Sequence, residues 1–280
     1  MVQENPLARY FRHPELHIQI PSNGRWWKEG SIEIPPNNEL PIMAMSGLDD
    51  LSMKNADGLM NGDTTVKVIQ SCCPSIKDAW EMPSIDTDTV LIAIRIASYG
   101  ELMQLTNKCS KCNEFYDMQV DLRSVLENIK LPNYDSPFEI SNLTIFMRPS
   151  PYHVVNLNNQ EIFQQQKTII SLSNSNLSQQ EKEKIVKDAV VRLTNIAVKR
   201  ISFYIDKIIL PSGEAVTDKE FIQNFIDNCD QKTYNTIKTN ITHKNQEYKL
   251  PQLPATCEHC GNQEMKEFAF DPASFFGQSS

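Results

Sequence analysis

The first fifty residues alternate apolar and polar side chains in short runs, a pattern typical of β-strands. These runs cover residues 16–20 and 31–34, and the turn-forming segment Pro21–Gly24 separates them. Prolines between positions 35 and 41 exclude a regular helix in the segment that follows. The pattern therefore predicts an extended, β-rich N-terminal arm over residues 1–50.

Between residues 51 and 130 the apolar spacing changes to that of helices. A first helix is expected to end at Pro74, and a second is expected to start near Asp86 and to end at Gly100. Residues 90–97 of this second helix are apolar with a single exception. A helix that is apolar all round belongs inside a core, so we expect this one to be buried on most of its faces.

Residues 131–250 contain many Gln and Asn residues and also a helical apolar stripe. The stripe has spacings of three and four: Val186, Val190, Leu193, Ala197, Ile201, Tyr204 and Ile208. It follows the capping-box pattern Ser178–Glu181, and Thr217–Glu220 repeats that pattern before another helix. Such a stripe serves either core packing or a seam between subunits. We predict a large helical insertion over residues 131–250.

Four of the seven cysteines form two C-x-x-C pairs, Cys109–Cys112 and Cys257–Cys260. Thiolates three positions apart on a tight turn converge on one point, which is the geometry of a zinc knuckle. Two knuckles complete a tetrahedral site, and a strand-like segment follows each pair. We predict that all four cysteines bind one structural Zn²⁺ per chain. The 144 residues between Cys112 and Cys257 (257 − 112 − 1) would make this a zinc ribbon split by the helical insertion.

Two other interpretations of the cysteines stay open, namely reduced thiols without metal and a redox-active C-x-x-C. The redox interpretation requires a βαβ context, which the surrounding pattern lacks. A catalytic zinc requires an open coordination position, and four thiolates leave none. His259 lies inside the second knuckle but is not needed as a ligand. The predicted fold class is α+β, with boundaries at residues 1–50, 51–130, 131–250 and 251–280.

Several function classes are disfavoured by the composition and by the absence of their motifs. No apolar run is long enough for a membrane span, and residues 1–12 lack the apolar region of a secretory signal. A formal net charge of −8 disfavours binding to phosphate backbones, although Lys108 and Lys111 flank the first knuckle. We therefore expect a soluble, intracellular type of chain.

Enzyme signatures are also missing from the sequence. His13 and Glu15 superficially match the H-x-E of zinc deaminases, but neither C-x-x-C pair follows a proline as that pattern requires. No P-loop, G-x-S-x-G or G-x-G-x-x-G motif occurs. We expect no catalytic residues and no cofactor-binding residues apart from the four cysteines.

A set of short motifs occurs along the chain in a fixed order. The motifs are Asp49–Leu51, Asn55–Gly62, Val68–Pro74, the apolar helix Asp86–Gly100 before the first knuckle, Cys109–Cys112, Cys257–Cys260 and the closing segment Phe270–Phe276. In this order they resemble the T4-type bacteriophage baseplate hub proteins. The resemblance covers roughly residues 7–125 and 205–276. It departs from the family pattern at Asp50, where Glu is usual, and at Ala56, where Pro is usual.

The resemblance implies a non-enzymatic structural or assembly component of the baseplate hub of a contractile-tailed phage. Its implied location is the tail baseplate of the virion, after assembly in the host cytoplasm. The implied partners are other baseplate and tail proteins (the hub, the central spike, and the tape measure or tube) in a hetero-oligomeric assembly without nucleic acid. A chaperone-like assembly factor that is not kept in the virion is an alternative, and a zinc-ribbon nucleic-acid-binding protein is another.

Overall fold

The structure is a computed structural model that describes residues 6–53, 62–173 and 178–268. The helices are α1 (Gly47–Met53), α2 (Asp63–Cys72), α3 (Ser84–Tyr99), α4 (Leu122–Glu127), α5 (Tyr152–Ser173), α6 (Gln179–Lys199), α7 (Lys219–Asn228) and α8 (Gln231–Glu247). The strands are β1 (Pro14–Ile18), β2 (Leu40–Met43), β3 (Leu102–Lys108), β4 (Phe115–Asp121), β5 (Phe138–Ile140), β6 (Leu143–Met147), β7 (Ile205–Ile209), β8 (Ala215–Val216), β9 (Gln252–Thr256) and β10 (Gln263–Glu267). The predicted mixture of α and β structure is confirmed.

The chain divides into two compact units. The first is assembled from three separate stretches of sequence, 1–79, 85–131 and 248–280. The second consists of residues 80–84 and 132–247. Both C-x-x-C pairs belong to the first unit, so its discontinuity brings the two halves of the candidate metal site together.

Helix α3 forms the centre of the first unit. Its residues 90–94 are at most 2% exposed, which confirms the prediction that this helix is buried on most faces. Gly100 ends the helix with a φ of +87°, a left-handed conformation that favours glycine, and its N–H donates to the Ile96 carbonyl. Strand β3 starts directly after this turn and leads the chain to the first C-x-x-C pair.

The N-terminal arm pairs differently from the sequence prediction. Strand β1 pairs antiparallel with β2, and residues 31–34 make only a single β-bridge, between Ile32 and Ile76. The prediction of a strand at 31–34 was therefore wrong. Pro35 and Pro36 have no N–H to donate, so a ladder through this segment cannot continue.

Two polar clusters fasten the N-terminal segment to the helices of the first unit. Arg12 donates to the Asp49 carboxylate at 3.0 Å. The buried carboxylate of Asp86, on α3, accepts from the backbone N–H of Ser22 at 2.8 Å and from the indole N–H of Trp27 at 3.0 Å. Trp27 thus makes a hydrogen bond within the unit.

In the second unit, strands β5, β6, β7 and β8 form an antiparallel sheet in that order. The expected helical insertion is therefore only partly helical. Helix α6 ends at Lys199, a 3₁₀ turn covers Ile201–Tyr204, and Ile208 lies in β7. The predicted helix ran too far because Ile208 keeps the helical spacing of the preceding apolar residues. The isoleucines of β7 also have a strong β-propensity, and they form a strand because β6 is available as a pairing partner.

The two predicted capping boxes have different outcomes. At Ser178 the box is confirmed, because the Glu181 carboxylate accepts from the Ser178 backbone N–H at 2.9 Å and the Ser178 hydroxyl accepts from the Glu181 N–H at 3.4 Å. The second helix instead begins after Asp218, whose carboxylate accepts from the N–H groups of Glu220 and Phe221. The N-cap is therefore Asp218, one residue later than the predicted Thr217.

Candidate metal centre

Each C-x-x-C pair lies on the turn of an antiparallel hairpin. Cys109–Cys112 lies between β3 and β4, and Cys257–Cys260 lies between β9 and β10. The strands predicted after each pair are thus present, as β4 and β10. In both hairpins the second cysteine is followed by a residue with left-handed φ, Asn113 at +62° and Gly261 at +64°. Glycine and asparagine tolerate this conformation best, so the local sequence suits both turns.

The backbone hydrogen bonds of the two turns are equivalent. In the first, the Cys109 N–H donates to the Glu114 carbonyl at 2.9 Å, and the Asn113 N–H donates to the Cys109 carbonyl at 3.1 Å. In the second, the Cys257 N–H donates to the Asn262 carbonyl at 2.9 Å, and the Gly261 N–H donates to the Cys257 carbonyl at 2.9 Å. The same knuckle therefore occurs twice.

The four cysteine sulfurs converge on one point, with all of them within 4.8 Å of one another. The Sγ atoms of Cys109 and Cys260 are 3.7 Å apart, and those of Cys112 and Cys257 are also 3.7 Å apart. A tetrahedral Zn²⁺ with Zn–S bonds of about 2.3 Å separates its ligand sulfurs by about 3.8 Å. The observed sulfur positions fit such an ion, and the structure brings together all four residues that the spacing singled out.

Side chains that the sequence analysis missed hold the two hairpins together. The Glu264 carboxylate accepts from the Tyr116 hydroxyl at 3.3 Å and pairs with the Lys266 ammonium at 3.1 Å. Lys266 also donates to the Lys108 carbonyl at 2.9 Å. The Nε2 atom of His259 lies 2.9 Å from the Phe115 carbonyl oxygen, so this histidine connects the two hairpins. His259 is not part of the group of converging side chains, which consists of the four cysteines. The alternation of side chains along β4 and β10 indicates which of these residues share a face of their own strand. It does not indicate that the face of one hairpin contacts the other hairpin.

The cysteine cluster packs against buried side chains. Tyr116 and Ala255 are buried together with Cys109 and Cys257, and Met118 packs against this group. Buried surroundings have a lower effective dielectric constant than water, which strengthens the attraction between a cation and thiolates.

The thiols influence one another's ionisation. A hydrogen bond from the Cys112 backbone N–H is the main reason that the pKa of Cys109 is lowered to about 6. At Cys112 the Glu114 N–H lowers the pKa, but burial and the sulfurs of the other three cysteines outweigh it and raise the pKa to about 12. Because neighbouring negative charges repel, four thiolates at this spacing need a cation between them.

No other group of three or more His, Cys, Asp or Glu residues in the part of the chain that the structure describes could hold a metal ion. His13 and Glu15, the residues of the rejected deaminase pattern, lie exposed around the start of β1. No helix among the described residues is long and apolar enough to cross a membrane. The motif residues 55–61 and 270–276 lie outside the described residues.

Comparison with known proteins identifies the family. No curated protein and no solved structure matches this chain significantly. A family model described as "T4 bacteriophage base plate protein" matches residues 43–277, which is most of the chain and includes both C-x-x-C pairs. This match confirms the resemblance seen in the motifs, and the chain therefore belongs to the T4 bacteriophage base plate protein family.

Proposed function

We propose that this chain is a non-enzymatic structural or assembly protein of the baseplate hub in a contractile-tailed bacteriophage. The observation that carries the proposal is the family match over residues 43–277. Membership of this family implies contacts with other baseplate and tail proteins. The hub, the central spike, and the tape measure or tube are the proposed neighbours, within a hetero-oligomeric assembly in the virion that forms in the host cytoplasm.

A structural Zn²⁺ bound by Cys109, Cys112, Cys257 and Cys260 is part of this proposal. Four thiolates fill a tetrahedral coordination sphere, so the ion would have no position free for a substrate. Its contribution would be to join two hairpins that are 144 residues apart in the chain (257 − 112 − 1). The matching sulfur spacing and the repeated knuckle support this role.

Exposed apolar side chains in each unit support a role in protein–protein contacts. In the first unit Leu48 and Leu51 of α1 are 74% and 66% exposed. In the second, Phe163 of α5 and the pair Val190 and Val191 of α6 are 43–54% exposed. Leu48 and Leu51 are neighbours on one face of α1, and Val190 and Val191 are consecutive in α6. Contiguous apolar patches mark surfaces that a partner covers, whereas single exposed apolar residues do not.

Two other functions are alternatives to a structural role in the hub, and the experiment below distinguishes them. A transient assembly factor would need the same fold and the same contacts, but it would leave the particle. A nucleic-acid-binding ribbon is disfavoured by the net charge of −8 and by Glu258, Glu264 and Glu267 around the second knuckle.

The test is quantitative mass spectrometry of purified phage particles beside the infected-cell lysate. A fixed ratio to other tail proteins in the particle would support a structural hub component. Abundance in the lysate combined with absence from particles would identify an assembly factor. No association with tail proteins in either sample would refute the proposal, and salt-sensitive retention on DNA or RNA would favour the nucleic-acid alternative.

A further inference from the structure

The four cysteines of the candidate metal centre differ strongly in their access to water. Cys109 and Cys257, the first cysteine of each pair, are each 1% exposed. Cys112 is half-buried, whereas Cys260 is exposed. The two knuckles thus share one backbone geometry but present different faces to solvent.

Neighbouring groups protect the first knuckle further. The Cys109 sulfur accepts from the Lys111 backbone N–H at 3.4 Å and lies 3.8 Å from the Asn262 side-chain nitrogen. Hydrogen bonds of this kind withdraw electron density from a metal-bound thiolate and orient it. Because Cys109 is both buried and hydrogen-bonded, it is a poor target for a reagent from solution.

The chain around Cys260 is open. Residues 258, 259 and 261 on either side of it are exposed. A Cβ atom added at Gly261 would meet no other atom within 4 Å, so empty space adjoins the second knuckle at this point. The Cys260 sulfur accepts from the Asn262 backbone N–H, but among the described residues no side-chain amide approaches it as Asn262 approaches Cys109.

We propose that Cys260 is the reactive ligand of the metal centre, the thiolate that soft electrophiles and peroxides attack first and whose modification releases the metal. The inference rests on the four-cysteine metal centre proposed above and adds to it a site of chemical regulation. Reactivity of cysteines follows thiolate character and exposure. A metal keeps all four sulfurs in the thiolate form, so exposure decides which of them reacts.

The chemistry of the step is simple nucleophilic substitution. With iodoacetamide, the Cys260 sulfur forms a bond to the methylene carbon while the carbon–iodine bond breaks and iodide leaves. With hydrogen peroxide, the sulfur bonds to one oxygen, the O–O bond breaks, and hydroxide leaves. In both cases the sulfur loses its capacity as a strong anionic ligand, and the site is reduced to three thiolates.

The experiment treats the zinc-loaded full chain with limiting iodoacetamide at neutral pH. Peptide mass mapping follows each cysteine, and a chromogenic chelator follows zinc release. We expect Cys260 to be alkylated first, with zinc released at the same rate. Cys229, a half-buried cysteine outside the cluster, serves as an internal control, since its alkylation should not accompany zinc release.

Two variants sharpen the test, because histidine replaces a thiolate while keeping a zinc ligand. Zinc release should be slowed about tenfold in Cys260→His and unchanged in the matched Cys112→His, which keeps Cys260. If histidine at either position prevents zinc binding, the order in which the cysteines of the unaltered chain are alkylated tests the proposal by itself. First alkylation at Cys109, Cys112 or Cys257 would overturn the proposal.

The metal content measured before the reagent is added separates this inference from the proposal on which it rests. A chain that contains no metal and acquires none on addition of zinc refutes the metal centre, and the reactive-ligand role fails with it. A zinc-loaded chain that reacts first at another cysteine leaves the metal centre in place and refutes only the role of Cys260.

Discussion

The two units of this chain are built in contrasting ways. The first is assembled from three stretches of sequence, and residues far apart in the chain meet in it, such as Ser22 with Asp86 and Cys109 with Cys260. The second contains one long continuous stretch, 132–247, and two of its helices, α6 and α7, begin at caps supplied by immediate neighbours. A unit held by distant links can be opened by breaking one of them, whereas a unit with local caps loses stability in small steps.

The ends of the long insertion illustrate how the first unit closes. Lys130 and Lys249 exchange two backbone hydrogen bonds, at 2.9 and 3.1 Å. The Tyr248 hydroxyl donates to the Asp88 carboxylate of α3 at 2.8 Å. These contacts, the cysteine cluster and the hydrogen bonds of Glu264, Lys266 and His259 attach the C-terminal stretch to the rest of the first unit.

The largest effect is expected from removing one metal ligand. In Cys257→Ser the site loses a buried thiolate, and binding of a structural zinc is worth about 10 kcal/mol or more at neutral pH. We expect zinc to be lost and amide hydrogen exchange to rise throughout β3, β4, β9 and β10. Exchange in β6 and β7 of the second unit should change little.

The matched control for this ligand is Cys229→Ser, since Cys229 lies outside the cluster and its sulfur contacts the Ile226 carbonyl, a contact that a hydroxyl can replace. Inductively coupled plasma mass spectrometry gives the metal content of both variants. One zinc per chain retained in Cys257→Ser would contradict the four-cysteine assignment. Equal exchange in both units would contradict the proposed difference between them.

An intermediate effect is expected from the buried carboxyl of Asp86. Burial raises its pKa to about 6, and the hydrogen bonds from Ser22 and Trp27 offset only part of this increase. The folded state therefore holds the proton more tightly than the unfolded state, whose pKa is near 3.9. Stability from this group is fully present below about pH 4 and is lost as the pH rises through about 6, by up to about 3 kcal/mol.

Asp86→Asn should remove this pH dependence, because the amide does not titrate. Urea denaturation gives the free energy of unfolding of the unaltered chain and of Asp86→Asn between pH 4 and 7. The change with pH in the difference between these two free energies measures the contribution of Asp86. Protonation of the metal ligands affects both chains alike and cancels in that difference. Glu29→Gln, at an exposed position, is the charge-matched control. If the difference in free energy of unfolding between Asp86→Asn and the unaltered chain stays constant with pH, Asp86 titrates equally in the folded and unfolded states.

The smallest effect is expected at a local cap of the second unit. Asp218→Ala removes the acceptor of two N–H groups at the start of α7 and should lower the free energy of unfolding by about 1 kcal/mol. The adjacent Thr217→Ala should change it by only a few tenths of that amount, because Thr217 precedes the observed N-cap. Denaturation curves of the two variants provide the comparison, and a larger loss in Thr217→Ala would restore the capping box that the sequence suggested.

Much of the candidate site was predictable because its information is local. The C-x-x-C spacing implies a knuckle wherever it falls on a tight turn, and residues 113 and 261 suit the left-handed backbone that each turn needs. The apolar helix before the first knuckle was predictable for the same reason, since its burial follows from its own composition. The supporting contacts of Glu264, Lys266 and His259 were not predictable, because they depend on which hairpin faces which.

The sequence alone determined the four cysteines that the fold brings together, the buried helix α3, the capping box at Ser178 and the family. Each of these depends on spacing or residue type within a few positions, or on motif order along the chain. Only the tertiary structure decided that β1 pairs with β2, that Ile205–Ile209 is a strand, and that Cys260 is the exposed cysteine of the cluster. Strand pairing and exposure depend on the surfaces that distant segments present to each other, and local spacing carries no information about those surfaces.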